Sequence, residues 1–127
     1  MQLLLDTHAF LWWLDDDPQL GPKVRAEIAA SDNLVFISAA TAWEIAVKRA
    51  SGKLDALGDI VDWITKNDFS DLSIEVEHAI ASAELPRHHN DPLDRMLVAQ
   101  AQIEELTLVA CDPEIDKYDV AILDASK

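Results

Sequence analysis

Residues 2–8 read Gln2-Leu3-Leu4-Leu5-Asp6-Thr7-His8, an uninterrupted apolar run that stops on a carboxylate. Three consecutive leucines show no alternation between apolar and polar positions, so they suit a strand buried on both faces, as in the interior of a parallel sheet. Asp6-Thr7-His8 halts the run and leaves one acid at the strand's carboxyl end. Whether Asp6 caps the next helix or does chemistry depends on what else the chain delivers to that place.

Outward from this stretch, short β-like runs alternate with longer helical patterns. Residues 9–14 are too rich in large apolar side chains for a loop, and Asp15-Asp16-Asp17-Pro18 ends them. Gly21-Pro22 opens a helix that runs through Ala30 with Val24, Ile28 and Ala29 on one face. Residues 34–37 form the second strand, terminated by Ser38. A helix over 39–50 follows, closed by Ser51-Gly52, with Trp43, Ala46, Val47 and Ala50 spaced as its apolar face. A small amphipathic helix over 59–67, a weak strand over 72–74 and a helix over 77–85 lead to Pro86. The polar loop 87–95 runs into an apolar helix over 96–103. A strand over 107–110, a helical turn to Lys117 and a closing strand over 120–123 complete the pattern. Such alternation predicts an α/β fold of one domain, residues 1–127, with a central parallel sheet flanked by helices.

Composition narrows the function classes. The chain has 127 residues, half of them hydrophobic, enough for one core that buries roughly two-thirds of the unfolded surface. Asp and Glu number 24 against 10 Lys and Arg, a formal charge of -14, so the surface as a whole repels polyanions and nucleic acid requires a local exception. A lone Cys111 excludes an internal disulfide, and no paired cysteine motif for metal exists; both fit a reduced, intracellular setting. The apolar start has no cation before it and is broken by Asp6 and His8, so neither a signal peptide nor a membrane span is expected, and the setting is cytoplasmic.

A parallel sheet gives the acids a common address, because strand carboxyl ends and the amino ends of the following helices share one edge. Asp6 ends the first strand and Asp112 follows the strand over 107–110. Asp94 falls in the first turn of its helix, and Glu44 one or two turns into the helix after the second strand. Singly, each reads as well as a cap or a solvated charge: Asp91-Pro92-Leu93-Asp94 is a good helix start with Asp91 as N-cap, Thr41 to Glu44 matches a capping box, and Asp112-Pro113 can cap a turn. Jointly they need compensation, since two charges about 4 Å apart repel by roughly 4 kcal/mol at an effective dielectric of about 20. Oxygen-only donors of this kind suit Mg²⁺ or Mn²⁺, and such ions at a phosphodiester support hydrolysis. A phospho-accepting signalling domain also gathers acids at such an edge, but the Lys it needs after a late strand is missing from residues 107–112.

The set MQLLLDTH, SAATAWEIAVK, HHNDPLDRMLVAQA, LVACD and the closing YDV resembles the PIN-domain ribonucleases, specifically the VapC-type toxins of bacterial toxin–antitoxin pairs. The resemblance spans nearly the whole chain in the family's order. It implies a compact α/β/α sandwich, Mg²⁺- or Mn²⁺-dependent endoribonuclease activity and inhibition by a small cognate antitoxin. By the same match Asp6, Glu44, Asp94 and Asp112 are the four catalytic, metal-binding acids. Ala110 stands where many relatives have Thr before the fourth acid, and Leu93 where many have Phe. A catalytically silent binding module on the same scaffold is the alternative; it predicts neither RNA cleavage nor metal binding.

Several further residues are candidates for substrate contact. Thr7 can hydrogen-bond a carboxylate or a phosphate, and Ser38 stands at the second strand's end. His88 and His89, with Arg87 and Arg95, form the most basic patch of an acidic chain, next to Asp94, where an RNA backbone would approach. Lys48 has the spacing of a helical ion pair with Glu44. Trp12 and Trp13 are adjacent on one helix, about 100 degrees apart, so both cannot enter one core. One of them either covers the core's rim or meets a partner, for which the resemblance implies an antitoxin helix or a second protomer in a homodimer.

Overall fold

The computed structural model describes residues 1–56 and 58–127. Five strands form one sheet: β1 (Gln2–Leu5), β2 (Leu34–Ser38), β3 (Ser70–Leu72), β4 (Thr107–Ala110) and β5 (Ile122–Asp124). Their order is β3-β2-β1-β4-β5, and every pairing is parallel. The strand read from the three leucines is the centre: Leu3 to Leu5 pair with Val35 to Ile37 on one side and Thr107 to Val109 on the other. All three leucines are fully buried, as a strand flanked by strands and covered on both faces requires.

Side chains alternate between the two faces and seed two separate cores. Leu3, Leu5, Ile37 and Val109 pack with Phe10 of α1 (Thr7–Leu14), with Val24 and Ile28 of α2 (Pro22–Ala29), and with Ile45 of α3 (Ala39–Ala50). Leu4, Leu108 and Ala110 pack on the other face against Leu97, Val98 and Ala101 of α6 (Pro92–Glu104). Two shorter helices, α4 (Ile60–Lys66) and α5 (Val76–Glu84), complete the layers. The architecture is an α/β/α sandwich with a central parallel sheet, as expected. Among the described residues no helix is long and apolar enough to cross a membrane.

Three local expectations are corrected. Strand β3 begins two residues earlier than the pattern suggests, because buried Phe69 anchors it beside Phe10 and Trp13, and Ser70 pairs with Phe36. The closing strand starts at Ile122 and not at Val120, since Tyr118 and Val120 are taken up in the second core. On α3 the buried residues are Ala40, Thr41 and Ile45, whereas Trp43 is 63% and Val47 51% exposed. Ser38, not Thr41, caps that helix by accepting from Ala40 N–H at 3.0 Å. The helix spans Ala39–Ala50 as expected, but its cap lies three residues before the expected capping box, and Ala40, Thr41 and Ile45 turn inward.

Candidate active site

The strand order reverses direction between β1 and β4: the chain proceeds from β1 to β2 and β3 on one side, then to β4 and β5 on the other. Loops diverge at such a switch point and leave a crevice at the strands' carboxyl ends. Asp6 follows β1 directly, and Cys111-Asp112 follow β4. One cavity of about 460 Å³ is lined by Asp6, Asp94 and Asp112 together with His8, Trp12 and Gln19.

Each acid is held by its own local chemistry. Asp6 caps α1, its Oδ1 accepting from Ala9 N–H at 2.8 Å. Among the described residues no donor reaches its other oxygen. Asp91 caps α6 as its position before Pro92 predicts, accepting from Leu93 N–H at 2.8 Å and Asp94 N–H at 3.2 Å; this fixes the first helical turn and with it Asp94. Asp112 accepts from Glu114 N–H at 2.9 Å through Oδ1, leaving Oδ2 to meet His89 Nε2 at 3.0 Å. The capping and site readings of Asp6 and Asp112 are thus compatible, because a carboxylate has two oxygens.

Glu44 is set apart. It lines a neighbouring depression of about 380 Å³ with Trp43, Val47, Lys48 and Leu93. Thr7 Oγ1 donates to its Oε1 at 2.5 Å and Lys48 Nζ to its Oε2 at 2.9 Å, the helical pair expected from the spacing. Thr7 therefore contacts a carboxylate. Glu44 still feels the cavity electrostatically, since its charge helps to raise the pKa of both Asp6 and Asp94.

The electrostatics record an excess of negative charge. Burial pushes the Asp6 carboxyl from 3.8 up to about 6; the Ala9 N–H and His8 oppose this, while Asp94 and Glu44 add to it. Asp94 is also raised, first by burial and then by Asp91, with Asp112 and Glu44 adding to the rise and His89 opposing it. Acids that resist ionisation in this way, with hard oxygen donors facing one crevice, fit a divalent cation. Cys111 belongs to the same edge, but burial and the neighbouring carboxylates raise its thiol pKa, the wrong direction for a nucleophile.

His89 is where the sequence reading falls short. Its Nε2 stands 2.9 Å from Asp94 Oδ2 and 3.0 Å from Asp112 Oδ2, so it bridges the third and fourth acids. Asp91 N–H donates to its Nδ1 at 3.1 Å, which places the ring proton on Nε2. In that tautomer the imidazole donates to the carboxylates; His89, Asp94 and Asp112 bring their ligand atoms within 4.8 Å of one another, as a metal site requires. The signal lay in the spacing of His89, Asp91 and Asp94, which puts the ring over the helix start that it helps to order.

Two of the five candidate substrate contacts are corrected. Ser38 is fully buried and donates to Gln100 Oε1 at 2.6 Å while capping α3. Arg95 is only 7% exposed. Its guanidinium donates to the carbonyls of Ser82 (2.8 Å), Leu85 (3.0 Å), Pro86 (3.0 Å) and His89 (3.2 Å). The Ser38 hydroxyl proton and the terminal nitrogens of Arg95 are thus committed inside the protein. His88 remains exposed, its ring against Tyr118 at a centroid separation of 5.1 Å. Trp12 and Trp13 both pack half-buried on the rim of the same core, contrary to expectation: Trp13 meets Phe69 and donates to Asn67 Oδ1 at 3.0 Å, whereas Trp12 also reaches the acid-lined cavity.

Comparison with known proteins places this arrangement among relatives. The PIN domain family model matches residues 3–121. A search of curated protein sequences returns no match. Among solved structures, the chain is similar to VapBC2 from Rickettsia felis bound to a DNA fragment from their promoter, with TM-score 0.69, 15% identity and coverage of 97% of this chain and 98% of that one. DNA-bound VapBC from Salmonella typhimurium gives TM-score 0.67 at 20% identity, covering 98% of both chains. A toxin–antitoxin complex from Klebsiella pneumoniae gives 0.65 at 17% identity, covering 97% of both. At these identities the likeness is one of fold.

Proposed function

The chain belongs to the PIN domain family, and from that membership and the acids at the sheet's switch point we propose that it is a Mg²⁺- or Mn²⁺-dependent endoribonuclease. It acts as a single cytoplasmic domain over residues 1–127, the VapC-type toxin of a type II toxin–antitoxin pair. The observation that carries the reading is the convergence of Asp6, Asp94 and Asp112 on one cavity, two of them with raised pKa.

In this reading Asp6 and Asp94 supply the principal oxygen donors, with Asp112 and Glu44 completing the acidic set. A divalent cation held there would supply a nucleophilic water at neutral pH and would offset charge on the leaving oxygen. Thr7 and Lys48 fix the Glu44 carboxylate, and His89 fixes Asp94 relative to Asp112. Because water attacks, and not the ribose 2′-hydroxyl, no histidine is required as general base. The substrate is single-stranded or looped RNA.

A small basic antitoxin is the proposed inhibitor, supported by the complexes that share the fold and by the formal charge of -14. Trp43 and Val47, exposed beside Leu93, offer it or a second protomer of a homodimer an apolar footing. The test is product analysis after incubating purified protein with single-stranded RNA and Mg²⁺ or Mn²⁺. Products with 5′-phosphate and 3′-hydroxyl ends, abolished by EDTA, are expected. A 2′,3′-cyclic phosphate, or cutting indifferent to chelator, refutes the mechanism.

A further inference from the structure

The cavity that holds three acids has a second kind of wall. His8 and Trp12 lie four residues apart on α1, hence on one helical face, and both line it. Their rings approach with centroids 6.1 Å apart and planes tilted by 48°. The core-facing work of α1 is done by others: Ala9 and Phe10 are fully buried, and Trp13 packs on Phe69 and bonds Asn67. Trp12 packs on the core's edge but keeps part of its indole in the cavity.

Two of the expected RNA contacts are turned inward. Arg95 and Ser38 are spent internally, and the chain's formal charge is -14. Stacking of a base on an aromatic ring needs no phosphate charge and tolerates any base, because every base has a π-face. A volume of about 460 Å³ falls within the range of small-ligand sites.

We propose that Trp12, flanked by His8, forms a nucleobase-stacking subsite that holds the base of a nucleotide next to the scissile phosphate. The subsite rests on the nuclease reading and adds to it a reason for single-strand preference: a base in a duplex has both faces covered. Trp12 is then a specificity-determining residue that contacts substrate, not merely a plug at the core's rim.

The test is binding of fluorescein-labelled ten-nucleotide oligoadenylate and oligouridylate, followed by anisotropy in Ca²⁺, with wild type, Trp12→Phe and Trp12→Leu. A second series carries one abasic nucleotide stepped along the oligomer. Trp12→Leu should weaken binding about tenfold, and Trp12→Phe much less. One abasic position should weaken wild type by a similar factor, and on that oligomer Trp12→Leu should cost nothing further. The abasic series in wild type and Trp12→Phe decides the matter even if Trp12→Leu folds poorly. Equal affinity of wild type and Trp12→Leu, or effects of variant and abasic nucleotide that simply multiply, overturns the subsite. Unchanged RNA affinity together with lost self-association in ultracentrifugation overturns it and assigns Trp12 to a contact between copies. Failure of wild type to bind any oligomer overturns the nuclease reading itself, and the subsite with it.

Discussion

Asp6 carries two jobs on one carboxylate, and its titration separates them. Its folded-state pKa of about 6 lies above the ordinary 3.8 because the group is buried near other acids. A raised pKa means that the folded state holds the proton more tightly. The associated stability is fully present below about pH 4 and is lost as pH rises through about 6. Asp6→Asn keeps an oxygen for the Ala9 N–H but cannot ionise. In EDTA it should therefore be more stable than wild type at pH 7.5, by on the order of 2 kcal/mol, with the gap closing toward pH 4. Urea unfolding at the two pH values measures this; an Asn variant less stable at both would show that the Asp6 charge is favourably paired in the metal-free fold. The same substitution should sharply weaken Mn²⁺ binding, so stability and metal affinity move in opposite directions.

Helices α5 and α6 are tied together by Arg95, whose guanidinium collects carbonyls from the end of α5 and the loop after it. Arg95→Ala leaves those acceptors without their charged donor, and we expect a loss of roughly 3 kcal/mol in urea unfolding. Arg95→Lys should not restore it, because one ammonium cannot reproduce the planar fork. RNA affinity of the folded fraction should stay unchanged, which distinguishes this role from substrate contact. The contrast between Arg95 and Asp94, neighbours on one helix, shows what a sequence can convey. Asp91 as cap, Pro92 at the helix start and β4 over Thr107–Ala110 are local signals, and the structure places them where the pattern does. Leu3 to Leu5 announced a central strand for the same reason. Ser38 and Gln100 meet across 62 positions, and Arg95 is satisfied by backbone carbonyls that no residue type announces. The exposed side of α3 misleads differently: the spacing of Trp43 and Val47 marks an apolar face, but spacing cannot say whether a core or a partner covers it.

The whole molecule is an acidic body with an acidic crevice, and that sets how it meets RNA. A basic RNA-binding protein making six to ten phosphate contacts loses about 10³–10⁵ in affinity between 50 and 200 mM salt. With a formal charge of -14 and Arg95 buried, this chain should lose less than about tenfold over that range, measured by anisotropy at fixed divalent-ion concentration. A steep slope would instead point to a cationic track, assembled from the exposed lysines or supplied by a partner. The sheet order β3-β2-β1-β4-β5 accounts for the rest, bringing residues from near positions 6, 94 and 112 to one crevice. The central claim is that this crevice holds the cation through which RNA is hydrolysed. It is tested most directly by single-turnover cleavage of single-stranded RNA in Mn²⁺ by wild type and Asp94→Asn, with matched thermal melting as the check on folding. The account predicts cleavage by wild type and a loss of at least about 100-fold in the variant; undiminished Mn²⁺-dependent cleavage by folded Asp94→Asn would contradict it.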